Sequence, residues 1–132
     1  VIVMDGLRNI QNAVEQIAMG ILFSQGENCS AGSRLIVHRA IKERLLEALK
    51  RTFESWSVGD PLDPKTKIGA LIEEKHLNRI LSYVENGKTE GAKLVMGGRR
   101  ILPESGGWFL GYNEDRARRD IWPCTFCDHG GR

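Results

Sequence analysis

Residues 23–34 read FSQGENCSAGSR, and the reading of this stretch decides the rest. Cys29 has only small or polar neighbours: Gly26, Glu27, Asn28, Ser30, Ala31 and Gly32. A free cysteine is often a small buried hydrophobe, but such a residue usually sits among branched apolar side chains. The other reading is a nucleophile in a loop that leaves space beside the sulfur. Loops anchored by regular elements are where chemistry is commonly mounted. The thiolate is the reactive form, and no histidine lies nearby in sequence to act as its base. Taken by itself, the stretch marks Cys29 as a candidate nucleophile with no visible partner.

Working outward, Ile10, Ala13, Val14, Ile17, Ala18, Ile21 and Leu22 recur at helical spacing. This apolar stripe predicts a helix over 9–23 that stops near Gly26. RLIVH, residues 34–38, is short and β-rich and predicts a buried strand. Ile41, Leu45, Leu49 and Phe53 predict a second helix over 40–55. GDPLDP, residues 59–64, is a loop, because two prolines and a glycine break regular structure. Leu77, Ile80, Leu81 and Val84 predict a third helix over 73–86, with Gly87 as its C-terminal cap. AKLVMGG, residues 92–98, reads as strand then turn, and GGWFL, residues 106–110, as turn then strand. VIVMDG at the start reads as a strand already in progress that enters a turn at Asp5-Gly6. An upstream part of a larger protein is therefore expected. The order of elements predicts an α/β fold with helices packed on a largely parallel sheet.

The totals exclude several classes. The 132 residues suit one modest domain, 41% hydrophobic and 27% charged. A net charge of +2 is too small to argue for nucleic acid or an acidic membrane surface. No apolar run approaches the ~20 residues needed to span a bilayer. No signal peptide opens the chain, so a reducing, cytoplasmic setting is expected. Three cysteines, Cys29, Cys124 and Cys127, make a poor disulfide framework.

FSQGENCSAGSR resembles the cysteine signature of the NAD(P)-dependent aldehyde dehydrogenase superfamily. The family pattern has an aromatic six residues before the cysteine, here Phe23. It has glycine three before, here Gly26, and Gln or Glu two before, here Glu27. A small residue and alanine follow, here Ser30 and Ala31. SRLIVH, VGDPLDPKTKIGALI, ILSYVENGKTEGAKLVMGG and GGWFL are similar to successive family segments, so the resemblance covers about residues 1–110. GENCSAGSRLIVH and WSVGDPLDP are most similar to the broad-specificity and the aminoaldehyde or betaine-aldehyde branches.

The resemblance implies a partial catalytic domain of the aldehyde dehydrogenase fold, with the cofactor domain absent from this chain. It implies that Cys29 attacks an aldehyde carbonyl to give a hemithioacetal. Hydride then passes to NAD or NADP, and water activated by a glutamate releases the carboxylic acid from the thioester. The oxyanion would be held by the Cys29 backbone N–H and a family asparagine. That asparagine, the glutamate and the Rossmann-type domain lie upstream of Val1 in the family. Phe23, Asn28 and Ser30 match positions beside the substrate tunnel, although Phe23 can equally be a helix-end core residue. His76 matches a position that contacts the cofactor ribose in some members, and is otherwise a solvent-facing helix histidine. The chain alone is expected to be inactive and of marginal stability. The parent enzyme is expected to be a homodimer or homotetramer with a small-molecule aldehyde as substrate, and without nucleic acid or membrane as partner.

Residues 111–132 change character. GYNEDRARRDIWPCTFCDHGGR has no sustained period of 2 or 3.6. Cys124, Cys127 and His129 raise a second reading, a small non-catalytic metal- or partner-binding module. A structural zinc site wants a fourth ligand, and the spacing to His129 is short. No metal is therefore assigned. Back-translated one nucleotide later, residues 113–131 can read MRIAREEIFGPVLSVITV, which resembles a family segment otherwise missing. The tail is expected to be an out-of-frame translation and poorly ordered.

Overall fold

The computed structural model describes residues 1–111. The element order is β1 (Ile2–Val3), α1 (Ile10–Leu22), β2 (Ile36–Val37), α2 (Lys42–Glu54), α3 (Glu74–Thr89), β3 (Arg100–Ile101) and β4 (Phe109–Leu110). β1 and β2 are parallel, with Ile2 opposite Ile36 and Val3 opposite Val37, so α1 is the crossover between them. The chain turns after β1 where Gly6 takes φ +83° and its N–H donates to Asp5 Oδ1 at 2.8 Å.

α1 forms where its stripe predicts. Asn9 caps it, its side chain accepting from the Asn12 N–H at 3.0 Å. Val14, Ile17, Ala18 and Leu22 are buried. They pack in one core with Leu45, Leu49 and Phe53 of α2 and Leu77 of α3. Ile68, Leu71 and Met96 join that core from irregular segments. Burial of several such side chains, each worth about 1.5–3 kcal/mol, drives the helices together. α2 is preceded by a 3₁₀ turn over Arg39–Ile41, which shortens it at its N-terminus relative to the prediction.

Two expectations need correction. α3 runs through Gly87 to Thr89. The C-cap is Glu90, followed by Gly91 at φ +88°, with Ala92 N–H donating to Gly87 O and Gly91 N–H to Lys88 O. This is a Schellman-type closure. An interior glycine costs about 1 kcal/mol, which packing of the helix offsets. Residues 92–98 form no strand: their backbone pairs with no ladder among the described residues, although Met96 is fully buried. The strand lies after the Gly97-Gly98 turn, at β3. The α/β reading itself stands, with helices packed on a short parallel sheet, β1–β2. β3 and β4 make a separate antiparallel pair, and a single parallel bridge joins Val58 to Ile68.

Candidate functional site

The C-terminus of α1 leads directly into the cysteine loop. Phe23 caps the helix through its N–H to Met19 O. Ser24, Gln25 and Gly26 then take φ +51°, +59° and +78°. Left-handed backbone at a non-glycine residue costs of order 1–3 kcal/mol, so surrounding structure must hold it. With its amide oriented to satisfy both ends, Gln25 donates to Ser24 O at 2.9 Å and accepts from the Gly69 N–H at 3.1 Å. A side chain on Gly26 would bring Cβ to 3.0 Å from the Ile21 carbonyl oxygen. Glycine is therefore required twice there, for conformation and for space.

Glu27 reaches across to the segment before α3. Its Oε1 accepts from the Ile72 N–H at 3.2 Å and lies 3.4 Å from His76 Nε2. The chain next makes a tight turn, with Ala31 N–H donating to Asn28 O at 3.0 Å. Asn28 Oδ1 organises it, accepting from the Ser30 N–H at 3.3 Å and the Ser30 hydroxyl at 3.2 Å. Cys29 Sγ lies 3.5 Å from the same oxygen as donor. Gly32 N–H returns the loop to α1 through Gly20 O at 2.9 Å.

Cys29 is exposed. Beside it a recess of about 280 Å³ is lined by Met19, Gly20, Phe23, Asn28 and Ser30. Phe23 is 56% exposed, so it is not a helix-end core residue. The three residues read from sequence as tunnel positions thus share one recess. Met19 and Gly20 were missed. Met19 lies outside the core stripe and four residues before Phe23, a spacing that places both on one helix face. His76 is neither buried nor free in solvent: its side chain is 35% exposed and stands against Glu27.

Asn9 occupies the N-terminus of α1 with its own side chain, and α3 opens with Glu73 and Glu74, which repel a phosphate. No glycine-rich phosphate cradle occurs in the sequence. Among the described residues no cluster of His, Cys, Asp or Glu is placed to hold a metal ion. Cys124, Cys127 and His129 lie outside the described residues. Among the described residues no helix is long and apolar enough to cross a membrane.

Comparison with known proteins adds a second line of observation. The model of the aldehyde dehydrogenase family matches residues 1–111. The chain is 36% identical over 97 residues to aminoacetaldehyde dehydrogenase of Pseudomonas aeruginosa, covering 74% of this chain and 20% of that protein. It superimposes on an indole-3-acetaldehyde dehydrogenase solved with NAD+ at TM-score 0.81 and 44% identity, over 84% of this chain and 22% of the other. Betaine aldehyde dehydrogenase from Staphylococcus aureus gives TM-score 0.78 at 34% identity, over 84% of this chain and 22% of the other. The chain therefore spans about a fifth of the length of these relatives. By sequence and by backbone geometry, the chain belongs to the aldehyde dehydrogenase family.

Proposed function

We propose that this chain carries the nucleophile of an NAD(P)-dependent enzyme that oxidises an aldehyde to a carboxylic acid, and that Cys29 is that nucleophile. The observation that carries the reading is the exposed Cys29 sulfur on a turn built by Asn28, next to the Phe23–Asn28–Ser30 recess. Residues 1–110 act as the partial catalytic domain, and residues 111–132 as a tail outside it.

The chemistry follows from the groups present. The Cys29 thiolate adds to the carbonyl carbon, a C–S bond forms, and the carbonyl electron pair moves onto oxygen. The Cys29 backbone N–H donates to no group among the described residues and is available to that oxyanion. Asn28 Oδ1 holds Ser30 back against the turn, which keeps the approach to sulfur open. Phe23 and Met19 offer an apolar wall to the tail of the aldehyde. The hydride acceptor and the general base are not supplied by the described residues, so no later step is assigned to them. Supporting assembly with further protein, an apolar groove of about 500 Å³ lies open along β1, lined by residues that include Ile2, Met4, Leu7, Ala13 and Ile17. We propose that other parts of a homodimeric or homotetrameric enzyme cover it. A cytoplasmic location fits a thiol that must stay reduced.

An activated ester tests the nucleophile without needing an oxidant. Thiolate attack on p-nitrophenyl acetate releases p-nitrophenolate and leaves an acetyl thioester. Peptide mass mapping is expected to place the acetyl group on Cys29, and Cys29→Ser to abolish the p-nitrophenolate burst. Acetylation confined to Cys124 and Cys127 would refute the assignment and favour the tail-module reading. The same purified chain, given aldehyde and NAD+, is expected to produce no NADH by absorbance.

A further inference from the structure

The loop that carries Cys29 is strained at Ser24 and Gln25, and Asn28, Cys29 and Ser30 of its turn are exposed. Something must fix it relative to the core. The segment after Val58 is well suited to be the anchor. Ile68 is 1% exposed, Leu71 3% and Leu77 1%, so that segment is pinned on both sides of Ile72. Leu71 N–H also donates to Trp108 O at 2.8 Å, tying it to the strand pair at β4. Ile72 itself turns its side chain to solvent, 80% exposed. Its backbone N–H is taken by Glu27 Oε1 at 3.2 Å.

We propose that Glu27 is the positioning residue of the cysteine loop: through Oε1 it fastens the backbone two residues before Cys29 to the Ile72 N–H and the His76 imidazole. The proposal deepens the reading of Cys29 as nucleophile and rests on it for its functional meaning. Its geometry is independent of that reading. A carboxylate suits the task because a bond from N–H to a charged acceptor is stronger than a neutral one, and the same oxygen lies within ion-pair distance of His76 Nε2. The Glu27 side chain is 23% exposed, which shields the contact from full solvent screening. His76 acts as a second post for the same oxygen, on the rigid first turns of α3.

Hydrogen–deuterium exchange of the full 132-residue chain, read by mass spectrometry, tests this. Glu27→Ala is expected to raise exchange over residues 26–32 about three- to tenfold, the factor that one lost bond supplies. Residues 45–53 of α2 keep their wild-type exchange. Glu27→Gln keeps an acceptor for the Ile72 N–H and returns the loop to within about twofold of wild type. His76→Leu gives an intermediate effect. Acetylation of Cys29 by p-nitrophenyl acetate falls in Glu27→Ala and recovers in Glu27→Gln. Wild-type exchange over 26–32 in Glu27→Ala, an increase spread equally over α2, or no recovery in Glu27→Gln overturns the proposal. If Glu27→Ala does not fold, His76→Leu decides it by the same readings. An inert Cys29 with the exchange pattern intact would instead refute the nucleophile reading and leave the positioning role standing.

Discussion

Two loops of this protein solve the same problem in opposite ways. The loop over residues 59–67 holds itself. Asp60 Oδ1 accepts from the Leu62 N–H at 2.9 Å, and Asp63 Oδ1 from the Lys65 N–H at 2.9 Å. Backbone bonds from Asp63 to Asp60 and from Thr66 to Asp63 close its turns. The loop over residues 23–32 has a local turn of its own at Asn28, but it is held in addition from farther along the chain. Gln25 meets Gly69, Glu27 meets Ile72, and Gly32 meets Gly20. A loop made of local Asx turns needs only its own composition. A loop made of distant contacts can present a side chain in one place, but it depends on the core that supplies those contacts. The second kind of loop is the one that carries Cys29, the proposed nucleophile.

Substitutions should separate the two loops, beginning with the largest effect. Leu22→Ala removes a side chain with no solvent exposure at the junction of α1 and the cysteine loop. It is expected to destabilise the chain by about 2–5 kcal/mol in urea unfolding and to loosen the loop with it. Gly26→Ala comes next. At φ +78°, with Cβ 3.0 Å from Ile21 O, the new methyl must shift the loop backbone. The expected cost is about 1–3 kcal/mol, accompanied by slower acetylation of Cys29. Asp60→Ala is the smallest. It removes one exposed side-chain acceptor and should cost about 0.5–1 kcal/mol, leaving Cys29 acetylation at the wild-type rate. An Asp60→Ala protein that lost Cys29 reactivity would break the comparison, because it would make the self-held loop part of the site.

How far the sequence could be read follows the same division between local and distant causes. α1 was legible because seven apolar residues share one stripe and Asn9 marks its start. The GDPLDP loop was legible from its own prolines and glycine. Gly87 misled because local chemistry cannot say which of two glycines closes a helix; the bonds to Gly91 and Ala92 decide it. Residues 92–98 misled because a short apolar run ending in Met96 also fits an irregular segment laid into a core. Phe23, Asn28 and Ser30 were singled out from one contiguous stretch, and the fold brings them to one recess, with Cys29 exposed on the turn between Asn28 and Ser30. The Glu27 contacts to Ile72 and His76 were not legible. They join residues more than forty positions apart, and only the packing of Ile68, Leu71 and Leu77 sets that distance.

To serve as the proposed nucleophile, Cys29 has to be made more than an ordinary exposed thiol by the folded loop. The direct measurement is the rate at which p-nitrophenyl acetate acetylates Cys29 in the native chain and in the same chain unfolded in urea, with Cys124 and Cys127 as references within each sample. A preorganised backbone donor at the oxyanion predicts acetylation of Cys29 at least about tenfold faster in the native chain, relative to those references. Equal relative rates in the two states would contradict the claim, since the fold would then contribute nothing to the chemistry of that sulfur.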